Sequence, residues 1–209
     1  WQIPSGPQGG DIVRLAVGEE AEPEAYWGPR TGKECSGCHE ISPDGNYVAF
    51  REGMNFRIVE NETNQLLEIP EKLNVAAFIS WRPEVNTDPP YQFAYDDGRS
   101  IHIASATHGY IRPLEGASEP GTVNRMPSWG PDGKIVFVRE ALVRPGAAEE
   151  SWEEAPAAFR GHTVEGPTNL MLVDEGGGEA LALPGASHNG VANYYPRFSP
   201  NGKWIAFTQ

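Results

Sequence analysis

The chain has 209 residues, 39% of them hydrophobic and 22% charged, and a formal net charge of −13. That is the make-up of a folded protein rather than a disordered one, and so acidic a chain lacks the clustered Lys and Arg that phosphate backbones demand, which argues against nucleic acid as a partner. The 24 glycines and 19 prolines leave little room for long helices and favour many short strands with tight connections, and no apolar run reaches membrane-spanning length.

Residues 1–34 form an N-terminal segment. It opens on Trp1 and has no basic stretch followed by an apolar one, so a signal peptide is read as removed, or the chain as beginning inside a longer protein. Asp11-Ile12-Val13-Arg14-Leu15-Ala16-Val17 predicts a strand, and Glu19, Glu20, Glu22 and Glu24 a solvated acidic loop.

Residues 35–40 carry the chemistry. The only two cysteines stand in Cys35-Ser36-Gly37-Cys38-His39, and Cys-x-x-Cys-His reads as attachment of one covalent haem c. Two thiols at this spacing add to the two vinyl groups on one porphyrin edge, and the adjoining His39 imidazole reaches the iron as proximal ligand. Three other readings stay open. A disulfide would leave His39 without a role. A redox dithiol should be followed by a helix, whereas Ser42-Pro43-Asp44-Gly45 follows here. A structural zinc site needs four ligands, and no second cysteine pair exists. Haem attachment takes place outside the cytoplasm, so the first reading predicts a periplasmic or extracellular protein.

From residue 41 onward one pattern recurs: Ile41-Ser42-Pro43-Asp44-Gly45-Asn46-Tyr47-Val48-Ala49-Phe50, then Trp129-Gly130-Pro131-Asp132-Gly133-Lys134-Ile135-Val136-Phe137-Val138, then Phe198-Ser199-Pro200-Asn201-Gly202-Lys203-Trp204-Ile205-Ala206-Phe207. Each reads as strand, turn, strand: Pro pre-sets φ in the turn, Gly supplies a positive φ, and the apolar run that follows suits a buried strand. A degenerate copy, Phe78-Ile79-Ser80-Trp81-Arg82-Pro83 with Tyr91-Gln92-Phe93-Ala94-Tyr95, lies between the first two. Pro83 is 40 residues after Pro43 and 48 before Pro131, the length of a four-stranded propeller blade. Pro131 to Pro200 is 69 residues, the excess lying in an acidic inserted loop at about 141–163 that includes Glu149, Glu150, Glu153 and Glu154. Further strands are predicted at 56–59, 66–69, 101–104, 110–114, 169–173 and 180–183, with Asp96-Asp97-Gly98 as a hairpin turn.

The Ser-Pro-Asp-Gly-x-x-apolar-Ala-Phe pattern resembles the TolB-like, WD40-like propeller repeat over about residues 41–209. The resemblance implies an all-β chain: a β-propeller of four-stranded antiparallel blades, about three and a half of them here, with the strand at 11–17 an outer strand of a preceding blade. The haem attachment loop would precede the first full blade and put the haem near the mouth of the central channel. Closed propellers have 4–8 blades, so further blades or subunits are expected as partners.

A sixth iron ligand should be Met or His, and Met54, Met126, Met171, His102, His108, His162 and His188 are the candidates. Met171 and His102 fall in predicted strands, and Met54 falls on the far side of its blade. Met126, read as preceding the third inner strand at nearly the offset of His39, and His188, in the loop entering the fourth, are the two preferred ligands. Tyr194 and Tyr195 open that fourth strand. The resulting function is electron transfer by an extracytoplasmic c-type cytochrome on a propeller scaffold, docking a redox partner protein through a basic patch on that partner. Two alternatives stand beside it: a subunit of a redox enzyme with an open iron, and a protein-binding propeller without haem.

Overall fold

The computed structural model describes residues 10–18, 22–32, 36–53, 55–70, 73, 76–141 and 166–209. It is an array of antiparallel sheets in which each sheet follows its neighbour along the chain. The first complete sheet runs β3 (Ser36–Ile41), β4 (Tyr47–Glu52), β5 (Asn55–Glu60), β6 (Gln65–Leu66). The second runs β7 (Ile79–Trp81), β8 (Gln92–Asp96), β9 (Ile101–Ser105), β10 (Gly109–Pro113). The third runs β11 (Thr122–Trp129), β12 (Lys134–Ala141), β13 (Thr168–Asp174), β14 (Leu181–Ala182). They are preceded by the pair β1 (Ile12–Arg14) and β2 (Glu24–Trp27) and followed by the pair β15 (Tyr194–Phe198) and β16 (Ile205–Thr208). Four-stranded blades in which the first strand of each is innermost are the β-propeller arrangement. Among the described residues no helix is long and apolar enough to cross a membrane.

The turn motif explains how each blade begins. In the first blade Gly45, at φ 79°, donates its N–H to Ser42 O at 2.8 Å. The Ser42 hydroxyl donates to Asp44 Oδ1 at 2.7 Å and accepts the N–H of Tyr47 at 2.9 Å. Ser199, Asn201 and Trp204 repeat this lattice, at 2.8 and 3.0 Å. The third blade has Gly130 where the first and the last have serine and the second has Arg82; a Cβ at Gly130 would stand 2.9 Å from Asp132 Oδ1 and 3.0 Å from the Phe198 ring.

Apolar side chains fill the seams between successive blades. Val48, Phe50 and Val59 pack on Ile12, Tyr26 and Trp27. Ala49, Phe56 and Ile58 pack on Ile79, Trp81 and Phe93 of the second blade. Ala94, Ile101 and Ile103 meet Ile135, Phe137 and Val173 of the third, and Val136, Val138 and Leu170 meet Tyr194, Phe198 and Ile205. Each fully buried Phe or Ile contributes about 1.5–3 kcal/mol.

Several expectations change. Residues 36–41 are not a loop ahead of the blade but its innermost strand, since Ser36, Gly37, Glu40 and Ile41 of β3 pair with β4. Met126 likewise lies inside the eight-residue β11, not before it. The strand expected at 11–17 is shorter, at Ile12–Arg14, and pairs with an unforeseen partner, β2. The outer strands expected at 66–69 and 180–183 shrink to two residues each. Cys35, Met54, His162 and the inserted loop from 142 onward lie outside the described residues.

Candidate functional site

The inner strands share one distortion. The β3–β4 register slips between Gly37 and Glu40, the β11–β12 register between Arg125 and Ser128, and the β15–β16 register between Tyr194 and Arg197. At each slip one residue takes a left-handed backbone: Cys38 at φ 51°, Met126 at 55°, Tyr195 at 53°. Each stands five residues ahead of its turn proline, Pro43, Pro131 or Pro200. A bulge re-aims the side chain that occupies it, and a non-glycine residue at positive φ is uncommon enough to require a compensating gain. Met126 is therefore the counterpart of Cys38, not of His39.

These positions converge on the propeller axis. Phe78, the residue at the same offset in the second blade, has its ring 5.7 Å from that of Tyr195, although their blades are not neighbours. Met126, 3% exposed, joins the apolar cluster that Phe78, Tyr194 and Tyr195 pack against. Burial raises the Tyr195 phenol pKa, and the Cys38 thiol is the next influence on it. Four blades thus contribute Cys38, Phe78, Met126 and Tyr195 to one mouth of the channel.

A charged pair lies one step deeper. Glu40 and Arg197, on the first and last of these inner strands, meet at 2.8 Å, while the Trp81 indole N–H donates to Glu40 O at 3.2 Å. Glu40 Oε2 is buried and has no hydrogen-bond partner among the described residues. Burial pushes the Glu40 carboxyl up to about 7 against the opposing charge of Arg197.

Asp96 opens the predicted hairpin turn between β8 and β9. It also has 0% exposure, accepts the N–H of Gly98 at 3.1 Å, and accepts the N–H of Met126 at 3.0 Å from the next blade. It holds the Met126 bulge in place. Burial pushes its carboxyl up to about 7, with the nearby Arg125 opposing.

Cys38 is half-buried and unbonded. Burial first, then the charge of Asp96, pushes its thiol up to about 11, and the Arg51 guanidinium only partly offsets them. At neutral pH the group is a thiol, so as it stands it is a poor nucleophile and a poor partner in disulfide exchange. His39 beside it is exposed and has no hydrogen-bond partner among the described residues. Partial desolvation lowers its imidazole pKa, favouring the neutral ring. An unbonded thiol followed directly by a neutral, uncommitted imidazole fits the donor set that a c-type haem uses. Of the two preferred distal ligands, Met126 is brought to the mouth with Cys38. His188 is not: it lies exposed in the β14–β15 connection, its backbone N–H on Asn169 Oδ1 at 2.7 Å.

The opposite face holds a cleft of about 240 Å³ between the second and third blades. Its polar groups satisfy one another. Arg82 pairs with Glu175 at 2.6 Å, and the Trp129 indole N–H donates to the same carboxylate at 3.0 Å. It is a blade seam.

No family model matches the chain, and no curated protein matches it. Solved structures do resemble it. A putative TolB from Agrobacterium tumefaciens is 15% identical with a TM-score of 0.52, over 82% of this chain and 53% of that one. Kuenenia stuttgartiensis hydrazine synthase is 14% identical with a TM-score of 0.51, over 81% of this chain and 48% of that one. The chain spans about half the length of each. At such identities the likeness establishes the fold, a β-propeller of four-stranded antiparallel blades, and no activity.

Proposed function

We propose that the chain is a propeller scaffold carrying one covalent haem c through Cys35, Cys38 and His39 at the channel mouth, and that it transfers electrons outside the cytoplasm. The observation that carries this reading is the position of the motif: an unbonded thiol and an uncommitted imidazole sit consecutively on an inner strand, at a bulge that turns Cys38 toward the residues gathered on the axis. The bound group supplies exchange of single electrons at its iron. The chain supplies the rest. Cys38 would hold the porphyrin and His39 would bind its iron, while Phe78, Met126 and Tyr195 give the mouth a largely apolar wall. The Glu40–Arg197 pair ties the first inner strand to the last beside it. The acidic chain, at net charge −13, suits a partner with a basic docking patch.

The test is a pyridine haemochrome assay on protein secreted by a host with haem-attachment machinery, after acid–acetone extraction. Colour that stays with the protein supports the reading, and Cys38→Ala should weaken the covalent link. Protein without a Soret band would overturn it and leave a haem-free binding propeller.

A further inference from the structure

The inner strands place a third set of equivalent residues at the height of the haem motif. Gly37 pairs with Arg51 on β4, Arg125 with Val138 on β12, and Tyr194 with Thr208 on β16. Arg125 is therefore the third-blade counterpart of a residue inside Cys-x-x-Cys-His. Its Nε is buried and has no hydrogen-bond partner among the described residues. The neighbouring carboxylate does not take that donor: Asp96 spends its two oxygens on the N–H groups of Gly98 and Met126. A buried guanidinium N–H without an acceptor is costly, because charged donors lose more on desolvation than neutral ones. The group matched to the vacant donor is a planar carboxylate or phosphate oxygen, which arginine binds as a fork.

Resting on the haem reading above, we propose that Arg125 binds a propionate carboxylate of the haem attached at Cys35 and Cys38, orienting the porphyrin across the channel mouth. Haem carries its two carboxylates on the two pyrroles that bear no vinyl, so a porphyrin tethered on the first blade would present them away from that blade. Arg125, two blades on and at the same height, lies in that sector. Met126 follows it directly, so one strand would hold the carboxylate with one residue and line the iron's distal side with the next. Arg125 is a positioning residue in this scheme.

The experiment uses haem-loaded protein and three proteins: wild type, Arg125→Lys and Arg125→Gln. Covalent haem content is measured first, then the midpoint potential, then the propionate bending mode by resonance Raman. A cation near the iron favours the ferrous state. Arg125→Gln should therefore lower the potential at unchanged haem content and shift the propionate mode toward its non-hydrogen-bonded position. Arg125→Lys, which keeps the charge and loses the fork, should hold most of the potential while shifting the mode. Wild-type potential and an unshifted mode in both variants would overturn the proposal and leave an ordered water or small anion on Nε. If Arg125→Gln does not fold, the Raman comparison of wild type with Arg125→Lys decides alone. A wild type without covalent haem sinks the parent reading, an outcome distinct from loaded variants that behave like wild type.

Discussion

The Oγ of Ser80 accepts the backbone N–H of Trp129 at 2.9 Å, across the seam between the second and third blades. Ser128, at the equivalent register in the third blade, accepts the N–H of Phe198 at 3.1 Å. Ser80, Trp129 and Ser128 are 3–5% exposed, so neither bond has a ready substitute in water. Removing the Ser80 hydroxyl leaves the buried Trp129 N–H unpaired, at about 1–3 kcal/mol, and removing that of Ser128 leaves the part-buried Phe198 N–H unpaired, at the lower end of that range. Ser80→Ala and Ser128→Ala should each lower the urea midpoint by a corresponding amount. Ser199→Ala removes an acceptor for the exposed Trp204 N–H and should cost visibly less. Equal losses in all three would mean that the inter-blade bonds have no special weight.

Asp96 makes stability depend on pH in an unusual direction for a carboxylate. Its carboxyl is pushed up to about 7 by burial, with Asp97 adding to the effect and Arg125 opposing it; Cys38 and Arg51, on the first blade, also feel its charge. The folded state therefore holds the proton more tightly than the unfolded chain, whose carboxyl titrates near the usual value of about 3.9. The stabilisation is present below that value and is lost as pH rises through about 7. Glu40, pushed up to about 7 by burial, adds in the same direction. The urea midpoint should fall from pH 5 to pH 8. Asp96→Asn should flatten this slope while lowering stability at every pH, since an amide cannot accept both the Gly98 and Met126 N–H groups. A midpoint that rises over this range would show that other carboxylates dominate.

The thiol of Cys38 should be slow to alkylate in haem-free protein. A thiol at about 11 holds a few thousandths of the thiolate of an ordinary cysteine, whose pKa is about 8.5. Iodoacetamide at pH 8 should label it on the order of a few hundredfold more slowly in the native state than in urea, read residue by residue by mass spectrometry. Comparable native and unfolded rates would show the thiol to be open and activated, which is the behaviour of a redox dithiol.

The blades were legible because their turns have a chemistry that sequence displays. Pro43, Asp44 and Gly45 each do a job no other residue does as well, and the apolar run Val48-Ala49-Phe50 follows at fixed distance. What decides the site was not legible. A left-handed bulge at Cys38, Met126 and Tyr195 has no residue signature, since none of the three is a residue that favours positive φ. Lining up the turn prolines and counting back five would have revealed the equivalence, and with it that Met126 matches Cys38. Asp96 resembled any other turn aspartate, because its burial comes from a neighbouring blade. The Glu40–Arg197 pair joins residues 157 apart, beyond any local pattern. β2 was missed because Glu24-Ala25-Tyr26-Trp27 follows an acidic, proline-bearing stretch that reads as loop.

Met126 and His188 separate cleanly by experiment on haem-loaded protein. Met126 shares the mouth with Cys38 and has its backbone tied to Asp96, so a porphyrin seated there would meet its thioether with little rearrangement of the strand. His188 would need its exposed connection to fold inward, breaking the bond to Asn169. Met126→Leu keeps the volume and removes the sulfur. It should abolish the methionine–iron charge-transfer band, move the ferric iron toward high spin and lower the midpoint potential, because methionine ligation raises it. His188→Ala should leave all three unchanged. A silent Met126→Leu together with a silent His188→Ala, in a wild type that is already high-spin and binds carbon monoxide, would identify an open iron and turn the preferred reading from electron carrier to enzyme subunit.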